Sequence, residues 1–542
     1  MSNRDTRLAQ LGAVPFDVLI VGGGIVGAGI ARDATLRGLR VALIEQGDFA
    51  SGTSSKTSKL IHGGLRYLEH GHLRLVIESL RERHRLRTIA PSLVHPLSLL
   101  LPIYQHSARA PWKIRLGLQL YDWLAAGRAL QPSRMLTPSK TVALEPALRR
   151  DGLRAAGLFA DCQMDDARLC LANILQSISL GAVCVNYTRL RAFIKADWRV
   201  CGGVIEDIWT GRTIEVQARA VINATGPWAD RLRRLSDRQS AARLAPIKGI
   251  HVLVPRVAHH GLFVQHRMDG RMLFILPFGD LSLIGTTETE VRGPLETLRA
   301  EADEVEYLLD GVNPILPAGH LSPQDIIATY AGARPLLGVG RTATSASREH
   351  RIEADRAGLL SVMGGKFTTY RLIAQQAVDA AVALHRLRAD RCLSAQVSLL
   401  EDPQPMLLEH WSAASRQLGP ERLAGLLMQY GSGTLSILKL ISRDPALAEP
   451  VCPHHETLQA ELVHAMQEEL ACTLTDLLAR RTRIAWSPCH GLDALCRVVD
   501  LFRQYGQNGH APLQRQEADY RLFLAQTMTF RHAVDEPHPV PS

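Results

Sequence analysis

The sequence predicts an α/β (α+β) protein in three parts: a doubly wound, parallel-sheet domain near the N-terminus, a domain on a mixed or antiparallel sheet, and an α-helical C-terminal domain. Three observations carry that reading. Residues 16–50 pass from a β-branched apolar run through glycines into an alanine-rich helix and back to an apolar run, the pattern of a βαβ unit. Between 246 and 290 the runs "KGIHVLVP", "MLFILPF" and "LSLIGTT" are short, apolar and bounded by Gly, Pro or Asp, as strands are. Beyond about residue 395 the strand signal fades, and "LQAELVHAMQEELACTLTDLLARR" (458–481) sets helix-forming residues at helical spacing.

The glycines of the first unit fall at Gly22, Gly24 and Gly27, in the pattern G-x-G-x-x-G. The first makes a tight turn, the second lets a pyrophosphate approach the backbone, and the third lets helix and strand pack closely. Phosphates would then rest on the helix N-terminus at Ile25. Glu45 ends the second strand, 18 residues after Gly27 and just before Gln46, where an acid accepts from a ribose 2′-hydroxyl and disfavours a 2′-phosphate. This is a Rossmann-like dinucleotide site.

Further along, His72 to Ile89 repeats apolar residues at helical spacing (Leu73, Val76, Ile77, Leu80) beside many arginines, an amphipathic helix. The region 181–226 returns to short strands and closes with "AVINATGPWAD" (220–230), where an apolar strand runs into Ala224, Thr225 and Gly226, a second close approach of backbone to ligand. The tail "DEPHPVPS" (535–542) has the composition of a disordered segment.

A chain of 542 residues is long enough for several domains and a buried cofactor. Its 62 Lys+Arg against 53 Asp+Glu leave +9, which favours anionic partners: phosphate substrates, lipid headgroups or nucleic acid. No zinc-finger spacing or RNP-type aromatic motif accompanies the basic residues, so nucleic acid is set aside. The nine cysteines are odd in number and hold no CxxC pair, the usage of reduced, cytoplasm-facing thiols. "CPHH" (452–455) and "CH" (489–490) contain metal-ligand residue types, but their spacing is irregular and no metal is expected. The N-terminus lacks the apolar core of a signal peptide. The longest apolar stretch, 93–104, is interrupted by His95, Pro96 and Pro102 and is too short to span a bilayer. In 108–124 one helical face holds Trp112, Leu116, Leu120 and Trp123 or Leu124 beside Arg109, Lys113 and Arg115; this suits a headgroup layer or equally a buried packing helix.

Taken together, "DVLIVGGGIVGAGIARDA" (17–34), "TSSKTSKLIHGGLRYLEHGHLRLV" (53–76), "DDARLCLANI" (165–174), "NATGPWAD" (223–230), "IKGIHVLVPR" (247–256), "IGTTE" (284–288), "TYAGARPL" (329–336), "GGKFTTYR" (364–371) and "DLLARRTR" (476–483) resemble the FAD-dependent, aerobic glycerol-3-phosphate dehydrogenase family. The resemblance implies a discontinuous FAD domain (15–100, 150–235, 325–390), a substrate domain (101–149, 236–324) and a helical cap (395–534). It implies oxidation of sn-glycerol 3-phosphate to dihydroxyacetone phosphate, with electrons passing through FAD to membrane quinone. A homodimer attached peripherally to the cytoplasmic face of the inner membrane, and otherwise cytoplasmic, is expected. The departures from the family pattern are Ala331 and Ala333 for Ser and Val, Glu288 for Asp, Phe367 for Leu, and Val26 for Asn.

Oxidising a secondary alcohol phosphate requires a base for the hydroxyl proton and cations for a group carrying about −1.5 to −2 charge. Guanidinium forks grip phosphate bidentately, which points to Arg334 and Arg348. By resemblance, Thr53, Ser54, Thr57, Ser58, Leu60, His62, Gly63 and Gly64 wrap the flavin, and Arg66 and Tyr67 reach past them to the substrate. Gly332, Gly365, Lys366, Phe367 and Thr368 complete the cofactor contacts, with Thr368 also within reach of substrate. His251 and Lys366 compete as base; His251 is assigned as proton acceptor and Lys366 as electrostatic support, because histidine titrates near neutrality unaided. Two alternatives stand beside this reading: an oxidase of the same fold that returns electrons to O₂, and a catalytically idle flavoprotein or membrane-surface adaptor.

Overall fold

A computed structural model describes residues 4–107, 109–316, 320–338, 349–400, 412–506 and 512–531. The run Phe16–Val21 forms a parallel strand between Val41–Ile44 and Thr213–Asn223, and its side chains from Val18 onward are fully or almost fully buried. A strand covered on both faces reads as a continuous apolar run, which is why no alternation marks it. The sheet continues outward through Val183–Val185 on one side and Leu360–Gly364 and His350–Ala354 on the other. The helix Ile25–Leu36 packs against Asp166–Ser179 and Tyr370–His385, at a separation set by Gly29, where a Cβ would lie 2.9 Å from the Tyr370 ring.

A second, mixed sheet is organised around Leu244–Pro255, which pairs antiparallel with Ala328–Leu337 in unbroken register from Leu244↔Leu337 to Leu253↔Ala328. That register sets Gly249 opposite Gly332, Ile247 opposite Arg334 and His251 opposite Tyr330. Helix Ala302–Val312 covers one face, while Leu73–Ile89 and Pro111–Ala125 cover the other. The strands Val94–Tyr104, Leu153–Met164 and Ala328–Leu337 lie in ranges expected for the FAD domain or at its edge, yet they hydrogen-bond in this second sheet. Hydrophobic period reveals that a segment is a strand; which sheet it joins depends on long-range pairing that the period does not encode.

The C-terminal region from Ser412 to Gln526 is helical around its own core, with one small hairpin, Pro450–Cys452 and His455–Leu458. The stretch 458–481 is not one helix. Gln459–Glu468 ends before Leu470, whose φ of 56° stops the helix, and Thr473 with Asp476 forms a capping box that starts the next turn. The expected tail at 535–542 lies outside the described residues.

The "DLLARR" segment docks this region onto the first sheet. Asp48, three residues beyond Glu45, is buried and accepts from Arg480 Nε at 2.6 Å and from Arg481 at 2.7 and 2.8 Å. Burial alone would raise its pKa, but the Arg481 and Arg480 charges more than offset this and hold the carboxyl at about 2. Asp48→Asn would take the paired carboxylate from buried Arg481 and one of the two carboxylates beside Arg480, which keeps Asp476, at an expected cost of about 3–5 kcal/mol. A clear fall in Tm of the purified protein checks this; an unchanged Tm would show that the docking rests on other contacts.

Candidate active site

Residues of both sheets line one cavity of about 1280 Å³. At its first end, Gly22 takes φ +112°, and a Cβ there would lie 2.7 Å from the Ala224 carbonyl oxygen. A Cβ on Gly27 would fall 1.8 Å from the Gly22 oxygen, so no side chain fits where helix meets strand. Ser54 Oγ accepts the Ile25 N–H at 2.9 Å and so lies over the helix N-terminus. The Glu45 carboxylate is aimed by the Gly23 and Gly47 N–H groups, at 2.7 and 2.8 Å, and each oxygen keeps a lone pair for a ribose hydroxyl. Burial raises the Glu45 pKa despite these bonds. Glycines that exclude side chains, a helix N-terminus facing the cavity and an oriented acid together fit FAD.

The segment 57–67 is held by two buried acids. Asp166 accepts from the Thr57 N–H and hydroxyl, at 3.0 and 2.8 Å, and pairs with Lys59. Asp161 Oδ1 accepts from Gly63 N at 3.1 Å, Arg83 at 2.5 Å and the Tyr121 hydroxyl at 2.8 Å. Gly64 has φ +82°, and a Cβ on it would strike the Tyr67 ring at 2.2 Å. The chain then enters the short helix Leu65–His70, which delivers Arg66 and Tyr67 to the cavity. Thr368 Oγ1 accepts the His62 N–H at 3.2 Å, and Arg371 binds Glu82 at 2.7 and 2.9 Å, so the "GGKFTTYR" segment is tied to the same loop and to helix Leu73–Ile89.

The charged end of the cavity gathers residues from four segments. Arg334 and Arg66 approach the same Glu288 oxygen, at 3.4 and 3.8 Å, and Arg334 donates to Thr286 Oγ1 at 2.9 Å. Lys366 Nζ sits 3.8 Å from the centre of the Tyr67 ring, a cation on an aromatic face. Two guanidiniums beside one carboxylate, with an ammonium on the Tyr67 face, leave this end of the cavity positive and able to hold a dianion. His251 is buried, stacks on Tyr330 at 5.0 Å and places Nε2 2.8 Å from Ser58 Oγ. Tyr330 is fixed in turn by a 2.7 Å bond to the Thr57 carbonyl. Burial first, then the charges of Arg334 and Lys59, press the His251 pKa well below the ordinary histidine value, leaving a neutral imidazole at pH 7.

Most of the sequence-predicted residues line this cavity, including Gly22, Gly24, Ile25, Glu45, Gln46, Thr53, Leu60, His62, Ala224, Thr225, Gly226, Gly332, Gly365 and Phe367. Several play a different part from the one expected. Gly63 does not line it: its N–H is turned to Asp161, and a Cβ there would lie 2.2 Å from the Tyr121 oxygen. Thr57 is held by Asp166, and the Thr368 hydroxyl is engaged by His62. Arg348 lies outside the described residues.

Sequence reasoning missed Lys56, Thr286 and the bracing pair Lys59–Asp166. Burial, then the nearby Arg480 charge, lowers the Lys56 pKa to about 8. Only the phase of the loop geometry distinguishes Lys56 from Lys59, and the sequence does not carry it. Glu288 stands out in the sequence as a departure from a family pattern, but its place between two arginines emerges only from pairing Leu244–Pro255 with Ala328–Leu337.

Residues 17–377 match the family model described as FAD dependent oxidoreductase, and residues 363–508 match the C-terminal domain of alpha-glycerophosphate oxidase. The chain is 37% identical to glycerol-3-phosphate dehydrogenase 2 of Mycobacterium tuberculosis (strain ATCC 25618 / H37Rv), over 96% of this chain and 90% of the relative. It is also 37% identical to the glycerol-3-phosphate dehydrogenase of Synechocystis sp., over 94% and 96%. Among solved structures it is similar to the glycerol-3-phosphate dehydrogenase from Bacillus halodurans complexed with FAD, with a TM-score of 0.80, 26% identity and 99% of each chain covered.

Proposed function

The chain belongs to the FAD-dependent glycerol-3-phosphate dehydrogenases, and from that premise we propose how its own residues divide the work. The enzyme oxidises sn-glycerol 3-phosphate to dihydroxyacetone phosphate. One observation carries the assignment of roles: Arg66, Arg334, Lys366 and His251 converge on the cavity that also holds the dinucleotide loop. Bound FAD supplies the two-electron acceptor for the hydrogen leaving C2.

Arg66 and Arg334 bind the phosphate, and Glu288 holds both guanidiniums in place before it arrives. Lys366, set on the Tyr67 face, favours the negative charge that develops as the substrate is oxidised. The C2 hydroxyl proton enters His251 at Nε2, the ring nitrogen with a polar neighbour, Ser58 Oγ, among the described residues. In the free site Arg334 opposes protonation of that imidazole. A bound dianion offsets this opposition, so the base strengthens when substrate is present.

The electron acceptor is membrane quinone, reached by peripheral attachment. Helix Pro111–Ala125 buries Ile114, Leu118, Tyr121 and Leu124 and turns Trp112, Leu116 and Trp123 outward, 64%, 60% and 74% exposed. One helix therefore satisfies both sequence alternatives, an inner packing face and an outer apolar one. Lys113 lies over the Trp112 ring, so a basic group borders that outer face. Among the described residues no helix is long and apolar enough to cross a membrane.

Anaerobic addition of glycerol 3-phosphate is expected to bleach the oxidised-flavin band near ~450 nm. Arg334→Ala, which removes a charge-assisted phosphate contact worth about 2 kcal/mol or more, should lower kcat/KM by about 30-fold or more. An unchanged kcat/KM would remove Arg334 from the phosphate site. The rate of the bound complex, kcat, is insensitive to ionisation of free substrate and should fall at acid pH as His251 becomes protonated. That limb should lie above the pKa of His251 in the free enzyme, and His251→Asn should abolish it and cost about 10²–10⁴ in rate. A wild-type kcat that stays flat from about pH 5 to 8 would point to another base. Replacing Trp112 and Trp123 together with Glu should reduce sedimentation with anionic vesicles and reduction of a membrane quinone, while leaving turnover with a soluble dye acceptor intact. Equal vesicle binding by the variant would refute this face, and stoichiometric peroxide without quinone would favour the oxidase reading.

A further inference from the structure

Two turns of the C-terminal region meet at a cluster of side chains that the oxidation chemistry does not use. Cys452 ends the strand Pro450–Cys452, and Pro453 and His454 make the turn into His455–Leu458. Cys489 and Asp493 lie on the turn before helix Leu495–Tyr505. Far apart in sequence, both sulfurs and an Asp493 carboxylate oxygen lie within 4.8 Å of one another. His454 Nε2 stands 3.7 Å from Asp493 Oδ2.

We propose that Cys452, Cys489, Asp493 and His454 form a structural zinc site that clips this hairpin to the turn before the helix. Tetrahedral zinc with sulfur ligands at about 2.3 Å and nitrogen or oxygen ligands at about 2.0 Å sets its donor atoms roughly 3.3–3.8 Å apart. The present separations reach that by small side-chain movements. Two thiols, an imidazole and a carboxylate are a borderline-soft donor set, suited to zinc rather than to calcium or magnesium.

The surroundings are arranged as metal–thiolate turns are. The Cys452 sulfur accepts the backbone N–H of His454, and the Cys489 sulfur accepts that of Gly491 at 3.4 Å, so each sulfur takes an N–H from two residues on. Such donors stabilise thiolate negative charge and fix its direction. Gly491 has φ +67°, as the second turn requires. The neighbouring histidines are directed elsewhere: His490 Nδ1 lies 2.9 Å from the Ala485 carbonyl, and His455 Nδ1 lies 2.7 Å from Thr457 Oγ1. The Tyr520 hydroxyl holds the His490 carbonyl at 2.6 Å, and Arg497 donates to the Pro450 and Val451 carbonyls at 3.3 and 3.2 Å. Both ligand-bearing turns are thus held in place by contacts outside the cluster. None of the four residues lines the FAD cavity, so metal binding and turnover are separable.

The test uses the full-length, FAD-loaded enzyme, expressed with zinc and purified in reducing buffer without chelator. Plasma mass spectrometry should find about one zinc per chain, and Cys489→Ser should lose it while keeping its flavin and its kcat. After zinc is exchanged for cobalt, the wild type should show intense d–d absorption at wavelengths beyond the flavin bands, and the variant should not. His454→Ala should release zinc to a chelator faster, and unchanged release would remove His454 from the ligand set. Should Cys489→Ser fail to fold, the zinc content and cobalt spectrum of the wild type decide alone. No bound zinc and no cobalt bands, or a Cys452–Cys489 disulfide found by non-reducing peptide mapping, would overturn the proposal.

Discussion

Two carboxylates with almost no access to water, Asp161 and Asp166, govern where the substrate end of the cavity lies. A buried carboxylate needs a cation and several N–H or O–H donors, and the segment 57–67 supplies Asp166 with Lys59 and the Thr57 N–H and hydroxyl, and joins Arg83 and Tyr121 on Asp161 through the Gly63 N–H. Buried ion pairs of this kind add little net stability, because desolvation consumes most of the attraction. What they do is select one path for the loop, since any other strands a charge. Arg66 and Tyr67 ride on that path, and the Thr57 carbonyl holds Tyr330, which stacks on His251. The position of His251 therefore depends, through one tyrosine, on the pin that fixes the loop carrying Arg66.

The parts of this arrangement that sequence exposes are those in which one residue type has one physical use. Three glycines at 22, 24 and 27 before a helix, with an acid at 45, form a compact local pattern, and in the fold Gly22 and Gly27 stand where no side chain fits while Glu45 is held by the Gly23 N–H. The amphipathic helix Leu73–Ile89 is equally plain, because its spacing is local. Gly63 illustrates the limit. A glycine in a cofactor loop suggests backbone contact with ligand, whereas here the lack of a side chain makes room for the Tyr121 hydroxyl and for an N–H bond to Asp161. Both uses need a bare backbone, and the sequence does not say which way it faces. The assignment of Val94–Tyr104 to the second sheet, and the meeting of Cys452 with Cys489, are likewise decided by pairings between distant segments.

The cations around Glu288 raise an electrostatic difficulty that the fold handles in stages. Arg66, Arg334 and Lys366 line the same cavity and repel one another. Glu288 relieves part of that repulsion by standing near both guanidiniums, and the Tyr67 face takes the ammonium. A dianion entering the cavity relieves more of it. The Arg334 charge, added to burial, depresses the basicity of His251, so under the proposed roles one guanidinium would both bind the phosphate and govern when the base becomes effective.

The same logic extends to the C-terminal region, which is more than a cover. Its Arg480 approaches both Asp48, at the turn after Glu45, and Lys56, at the start of the loop that carries Arg66. Attraction to Asp48 holds the arginine in position, while its charge, added to burial, keeps the Lys56 pKa near 8. If the helical region drew back, Asp48 would lose its counter-charges and Lys56 would regain its proton more readily. Cofactor turn and substrate loop would shift together. Docking of the helices is thus coupled to the electrostatics of the cavity through the Arg480 guanidinium, which gives a physical reason why "DLLARR" resembles the family pattern when much of the surrounding helical sequence does not.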